Sequence, residues 1–204
     1  MEKGTNNNGY DYVDLGLPSG TLWASCNVGA RKPSESGLYF QWGDTNGYTK
    51  EQVEKDKRFY WTDYKFSINR SSSNFSKYTS EGETLELEDD AAQVNMGGSW
   101  HMPSFDQIKE LIENATSTRT TLDDVSGMTF TSKKDESKAI FIPAAGNAFC
   151  GKINDIGLFG YIWSSMLGIF SIRSGRGLCF DLVNAYSNFS VDRDSGCSVR
   201  GVIG

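Results

Sequence analysis

Beyond Lys152 the chain has no lysine, and beyond Glu136 it has no glutamate. A stretch as long as Trp163 to Gly204 should hold about five of these residues at ordinary usage. Burial in strands would explain the shortage, because core strands exclude both types. Yet Arg173, Arg176, Arg193, Arg200, Asp181, Asp192 and Asp194 lie in the same stretch, and a plain apolar strand does not carry them. Other shortages exclude whole classes of function. His101 is the only histidine, so there is no histidine cluster for a metal and no acid/base relay. Four cysteines, Cys26, Cys150, Cys179 and Cys197, lack the paired two-residue spacing of a zinc site and leave three disulfide connectivities open. Free thiols are favoured, with Cys26 and Cys150 in apolar context as inert buried residues. No apolar run reaches membrane-spanning length, so no membrane insertion is expected. The formal charge of -6 comes without a basic stripe, which excludes nucleic acid as a partner. There is no Gly-x-Ser-x-Gly elbow and no phosphate-cradling glycine loop. The carboxylate pairs Glu88 with Asp90 and Asp123 with Asp124 read as solvated loop acids rather than a general acid and base. No cofactor, catalytic residue or metal ligand is assigned.

What is present reads as one α+β domain over residues 1–204, rich in loops. Met1 to Asn8 is polar and expected to be unstructured. Tyr10 to Gly16 alternates as a strand and turns at Leu17-Pro18-Ser19-Gly20; Thr21 to Val28 is a second strand. Leu38 to Asp44 is an aromatic segment suited to packing under loops. Tyr48 to Thr84 has no sustained period and reads as a long loop region with one helical turn near Glu51 to Lys57. Leu87 to Val94 suits a short helix stopped by Gly97-Gly98. Ser104 followed by Gln107 is a capping box, and Ile108, Leu111 and Ile112 give the helix behind it an apolar face, ending near Ala115. Met128 to Thr131 and Ala139 to Ile142 form strands about a Ser132 to Lys138 hairpin. Gly160 to Ser165, Leu178 to Val183 and Ser198 to Ile203 complete the strands. His101 reads as a structural residue before the helix start.

The tail has a regular framework: Trp163-Ser164-Ser165, Leu178 and Phe180 two apart, Arg193, and Gly196-Cys197-Ser198-Val199-Arg200-Gly201-Val202. Between these points Leu167 to Gly177 follows neither the strand nor the helix period. A large apolar, a glycine, a cation and a hydroxyl succeed one another without order.

Tyr12 to Ala30, then Tyr39-Phe40-Gln41-Trp42-Gly43-Asp44, Gly97 to Pro103, Ile142-Pro143-Ala144-Ala145-Gly146 and Gly160 to Ser165 together resemble C-type-lectin-like domains of gut Bacteroidetes and their phages. The resemblance spans nearly the whole chain; His101 departs from it, standing where arginine is expected. Within that family, a tail running from Trp-Ser-Ser through Leu-x-Phe to Arg-x-x-Gly-x-Ser-Val-Arg resembles the variable proteins of diversity-generating retroelements. There, template adenines are copied unfaithfully into the gene's end, so asparagine-type codons become many residues but not Lys, Glu, Gln, Met or Trp. After Met166 the chain contains none of those five.

The resemblance implies a C-type-lectin-like fold whose termini pair as neighbouring strands, with a variable ligand-binding segment at about 166–197. Leu178, Phe180 and Val199 would face inward. Gly168, Ile169, Phe170, Ser171, Arg173, Arg176, Gly177, Cys179, Asp181, Asp194, Ser195 and Cys197 would face a ligand, with Tyr186 and Asn188 as further candidates. The implied function is non-enzymatic binding of a protein or glycan receptor on a target cell surface, from a phage virion, tail-associated, or from the bacterial cell surface. A fixed-sequence adhesin or lectin of the same fold is the alternative. A third reading is an enzyme resembling formylglycine-generating enzymes, which share the fold but rely on reactive cysteines that Cys179 and Cys197 do not match. No Glu-Pro-Asn or Trp-Asn-Asp run supports calcium-dependent sugar binding.

Overall fold

Alternation at the front of the chain buries Val13 and leaves Asp14 in solvent, as a sheet with one wet face requires. In the computed structural model, which describes residues 4, 5 and 8–204, the chain is a mixed α+β protein, 13% helical and 36% strand. It opens with β1 (Gly4–Thr5), β2 (Asp11–Asp14) and β3 (Leu22–Ala24), a short antiparallel meander. The expectation for Met1 to Asn8 lies mostly outside the described residues, although Gly4-Thr5 pairs with β2 rather than hanging free. Next come β4 (Tyr39–Phe40) and α1 (Lys50–Asp56), which occupies the helical turn expected there; Thr49 and Gln52 cap it reciprocally. A 3-10 turn at Leu87–Asp89 leads into α2 (Ala91–Met96), stopped at Gly97. Then α3 (Phe105–Asn114) starts on the Ser104–Gln107 capping box and buries Ile108 and Leu111.

The chain continues through β5 (Ala115–Leu122), β6 (Val125–Ser132), β7 (Ala139–Pro143), β8 (Asn147–Phe149), β9 (Lys152–Asn154), β10 (Gly160–Leu167), β11 (Ser174–Phe180), β12 (Ala185–Asp192), β13 (Cys197–Ser198) and β14 (Val202–Ile203). Four of these, β5, β8, β9 and β12, fall where no strand is expected. Asp123 and Asp124 are the hairpin turn between β5 and β6, both at positive φ, so this pair serves a tight turn rather than chemistry.

Among the described residues the strands form four sheets: β1-β2-β3-β14, β12-β11-β10-β13-β4, β5-β6-β7 and β8-β9. The C-terminal strand does join the N-terminal sheet, but its neighbour is β3, with Val202 opposite Trp23, and not the first strand. The expected pairing of the termini is therefore corrected by two strands. Trp23, on β3, is fully buried in the cluster beneath this sheet with Ile108, Leu111 and Val202.

The five-stranded sheet carries the tail. On one side α3 packs Ile108 and Leu111 against Ile162, Leu178 and Phe180. On the other lies a larger cluster around Trp42, Trp100, Trp163, Tyr64 and Phe75. Two indoles lock β4 to β10: Trp163 Nε1 donates to the Phe40 carbonyl at 2.7 Å, and Trp42 Nε1 to the Ser164 carbonyl at 3.0 Å. Each buried N–H thereby finds an acceptor, without which desolvation would oppose folding.

Candidate ligand-binding face

The connection between β10 and β11 is built by short-range bonds. Gly168 N donates to Ser174 O at 2.6 Å, Ser174 N to Ser171 O at 3.2 Å, and Arg173 N to Ser171 Oγ at 3.2 Å. A neighbouring segment braces it from outside: Leu167 N donates to Glu83 O, and Gly82 N to Gly168 O. The loop's main chain is thus held while two of its side chains point to solvent. Ile169 is 42% exposed and Phe170 is 91% exposed, a large apolar ring with almost no protein cover.

This loop and the β11–β12 hairpin enclose a hollow of about 170 Å³ lined by Gly168, Ile169, Phe170, Ser171, Ser174, Arg176, Asn188 and Ser190. Six of these eight are residues expected at a ligand face. Ser174 and Ser190 are additions, brought in by strand pairing, since Ser190 lies opposite Arg176. From Ala185 to Ser190 burial alternates strictly, with Tyr186, Asn188 and Ser190 outward, the period of a half-buried strand, which the sequence hides because an aromatic lies on the outward side and Ser187 on the inward one.

Arg176 lines the hollow, and its guanidinium carbon lies over the Phe105 ring, 3.5 Å from its centroid. Among the described residues its side chain makes one hydrogen-bond contact, a 3.7 Å approach to the Met166 sulfur. Partial burial pulls its pKa below the ordinary arginine value, and Asp106 opposes that shift.

Other expected members fall elsewhere. Arg173 turns away, pairing with Asp192 at 2.9 Å and sitting over Trp61. Asp181 caps the turn after β11: it accepts from Val183 N, Asn184 N and the Tyr186 hydroxyl, and those bonds hold its carboxyl below its ordinary range. Asp181 and Tyr186 do not line the hollow.

Six expected ligand-facing residues are buried, which corrects that reading. Gly168 lines the hollow through its main chain only: a Cβ there would stand 2.6 Å from the Ser171 carbonyl oxygen. At Gly177 a Cβ would stand 2.2 Å from the Ile162 carbonyl oxygen. Both glycines are fixed by close backbone approach. Cys179 and Cys197 are buried in the core, where desolvation pushes the Cys179 thiol up to about 12 and Cys197 well above its ordinary value. Neither thiol is a thiolate nucleophile at neutral pH. Asp194 and Ser195 are 1% and 2% exposed in the turn leading to β13. All four cysteines are free, but Cys150 is exposed and Cys26 half-buried, against the expectation that both are buried.

The framework residues have physical roles. Leu178, Phe180 and Val199 are each wholly buried. Arg193 sits 3.4 Å over the Phe75 ring and donates to the Tyr78 carbonyl. Arg200 donates to Asn27 Oδ1 and to the carbonyls of Ala24 and Phe141, all within 3.0 Å. His101 bridges the Met102 and Gly204 carbonyls. One group of acids, Glu86, Glu88 and Asp89, is close enough to hold a cation, yet the Lys77 ammonium already occupies its centre, bonding all three. A larger cavity of about 310 Å³ lies between residues 9–11 and 24–31; none of the tail contributes to it.

No family model, curated protein or solved structure matches the chain.

Proposed function

We propose that this is a non-enzymatic binding protein of C-type-lectin-like fold, displaying a variable face to a receptor on a target cell surface. One observation carries the reading: in the tail, the framework residues are buried while several of the irregular ones meet around one hollow. Trp163, Leu178, Phe180, Arg193, Val199 and Arg200 are buried, while Ile169, Phe170, Arg176, Asn188 and Ser190 meet around one hollow. An exposed aromatic beside an arginine is the composition of interface hot spots. Side chains on a braced loop and an outward strand face can change without altering the core. The tail's freedom from Lys, Glu, Gln, Met and Trp supports retroelement diversification as the source of change, with a phage virion or bacterial surface as the carrier.

The test pairs genetics with stability. Sister isolates should differ at residues 169–171, 188 and 190 while keeping Gly168, Gly175, Gly177 and Leu178, and a near-copy of the tail should lie close to a reverse transcriptase gene. Phe170→Ala should abolish receptor binding yet change stability by less than about 0.5 kcal/mol, measured by thermal melting. An invariant tail among isolates would leave a fixed adhesin in place of a diversified one. A large stability loss in Phe170→Ala would remove the binding face itself.

A further inference from the structure

We infer that the hollow beside Arg176 is a carboxylate-binding subsite, and that partners of this face present an acidic side chain on an apolar stem. The inference rests on the reading of this face as the ligand face and adds the chemistry of what it takes. Four arginines lie in the tail, and three are accounted for. Arg173 is paired with Asp192, and Arg193 and Arg200 are buried against carbonyl acceptors. Among the described residues Arg176 is the one tail arginine with neither a carboxylate within salt-bridge distance nor an oxygen acceptor on its guanidinium, although the chain carries 26 acidic residues against 20 basic ones. A guanidinium stays charged at any physiological pH, and partly buried, with Asp106 near but no carboxylate paired to it among the described residues, it keeps attraction for an anion.

Geometry narrows the anion. The Phe105 ring, 3.5 Å from the guanidinium carbon, restrains the group, and a guanidinium's forked N–H edge can give two parallel bonds to a carboxylate. Ser174, Ser190 and Asn188 add neutral hydrogen-bonding groups, and Ile169 and Phe170 form an apolar wall. A volume of about 170 Å³ equals that of roughly six liquid waters, room for a glutamate or aspartate side chain. The apolar wall favours a partner whose acid is flanked by a hydrophobic residue.

Amide NMR of the full chain, titrated with the blocked dipeptide acetyl-Leu-Glu-amide, tests this. Shifts should concentrate at residues 168–176 and 188–190. The matched acetyl-Leu-Gln-amide should bind at least tenfold more weakly, and Arg176→Gln should lose the response while keeping native peak dispersion. Arg176→Lys, which keeps charge but not the fork, should recover only a minor part. Equal binding of the two dipeptides, an undiminished response in Arg176→Gln, or a response to N-acetylneuraminic acid or inorganic phosphate but not to the Glu dipeptide would each overturn the inference. Should a natural receptor bind through Phe170 and remain indifferent to Arg176→Gln, the subsite fails while the binding face stands. Indifference to both changes removes the face.

Discussion

Asp194 stands out at the scale of single residues: it is 1% exposed and neither carboxylate oxygen has a hydrogen-bond partner among the described residues. Burial, with Asp192 adding repulsion, pushes its pKa up to about 7 from an ordinary 3.8. Between those values the folded chain holds a proton that the unfolded chain has released, so stability falls as pH rises through this window. Asp194→Asn should therefore match the wild type near pH 4 and exceed it above pH 7, by at most about 4 kcal/mol. Urea denaturation at both pH values checks it; a constant gap would show that the carboxyl is ionised throughout. The same residue shows the reach of reading a tail by composition. Asp194, Ser195, Cys197 and Cys179 resemble Ile169, Phe170 and Ser171 in being irregular, yet the first group is core and the second surface. Irregularity marks where period fails, and it does not carry the direction in which a side chain points.

For elements, legibility followed apolar period. The helix at α3 was readable to within a residue because a capping box and an apolar face coincide there. Ser104→Ala removes the hydroxyl that accepts from Gln107 N at 3.1 Å, and should lower unfolding free energy by about 1 kcal/mol, read from a denaturant midpoint with unchanged slope. The short β8 and β9 escaped, and so did two eight-residue strands. β5, Ala-Thr-Ser-Thr-Arg-Thr-Thr-Leu, is polar on nearly every position and is held by eight register pairs with β6. β12 carries its apolar positions, Phe189 and Val191, only half-buried, so its alternation is of small amplitude. Both are strands because a neighbour offers hydrogen bonds, a property of the neighbour rather than of the segment.

Across the whole molecule, the two ends are tied through the same few residues. β14 lies beside β3, His101 bonds the Gly204 carbonyl, and Arg200 spans Ala24, Asn27 and Phe141. Arg200→Ala leaves those acceptors buried without donors, and should cost on the order of 3 kcal/mol or more. The measurement is chemical denaturation, and a loss below 1 kcal/mol would show that water replaces the guanidinium. Arg200 stands beside the core and apart from the hollow, so its loss should act on stability and not on ligand choice.

What the sequence determined alone was the local and the periodic: the capped start of α3 with its apolar face, and the alternation of the strand β2. Those follow from spacing along one chain, because a cap or an alternating face is complete within a few residues. Tertiary structure decided which irregular residues meet. It put Asn188 and Ser190 beside Ile169, Phe170 and Arg176, turned Arg173 to Asp192, and closed Gly168 and Gly177 against backbone. A hollow is formed by the spacing between strands and loops, and that spacing exists only once the sheet has assembled.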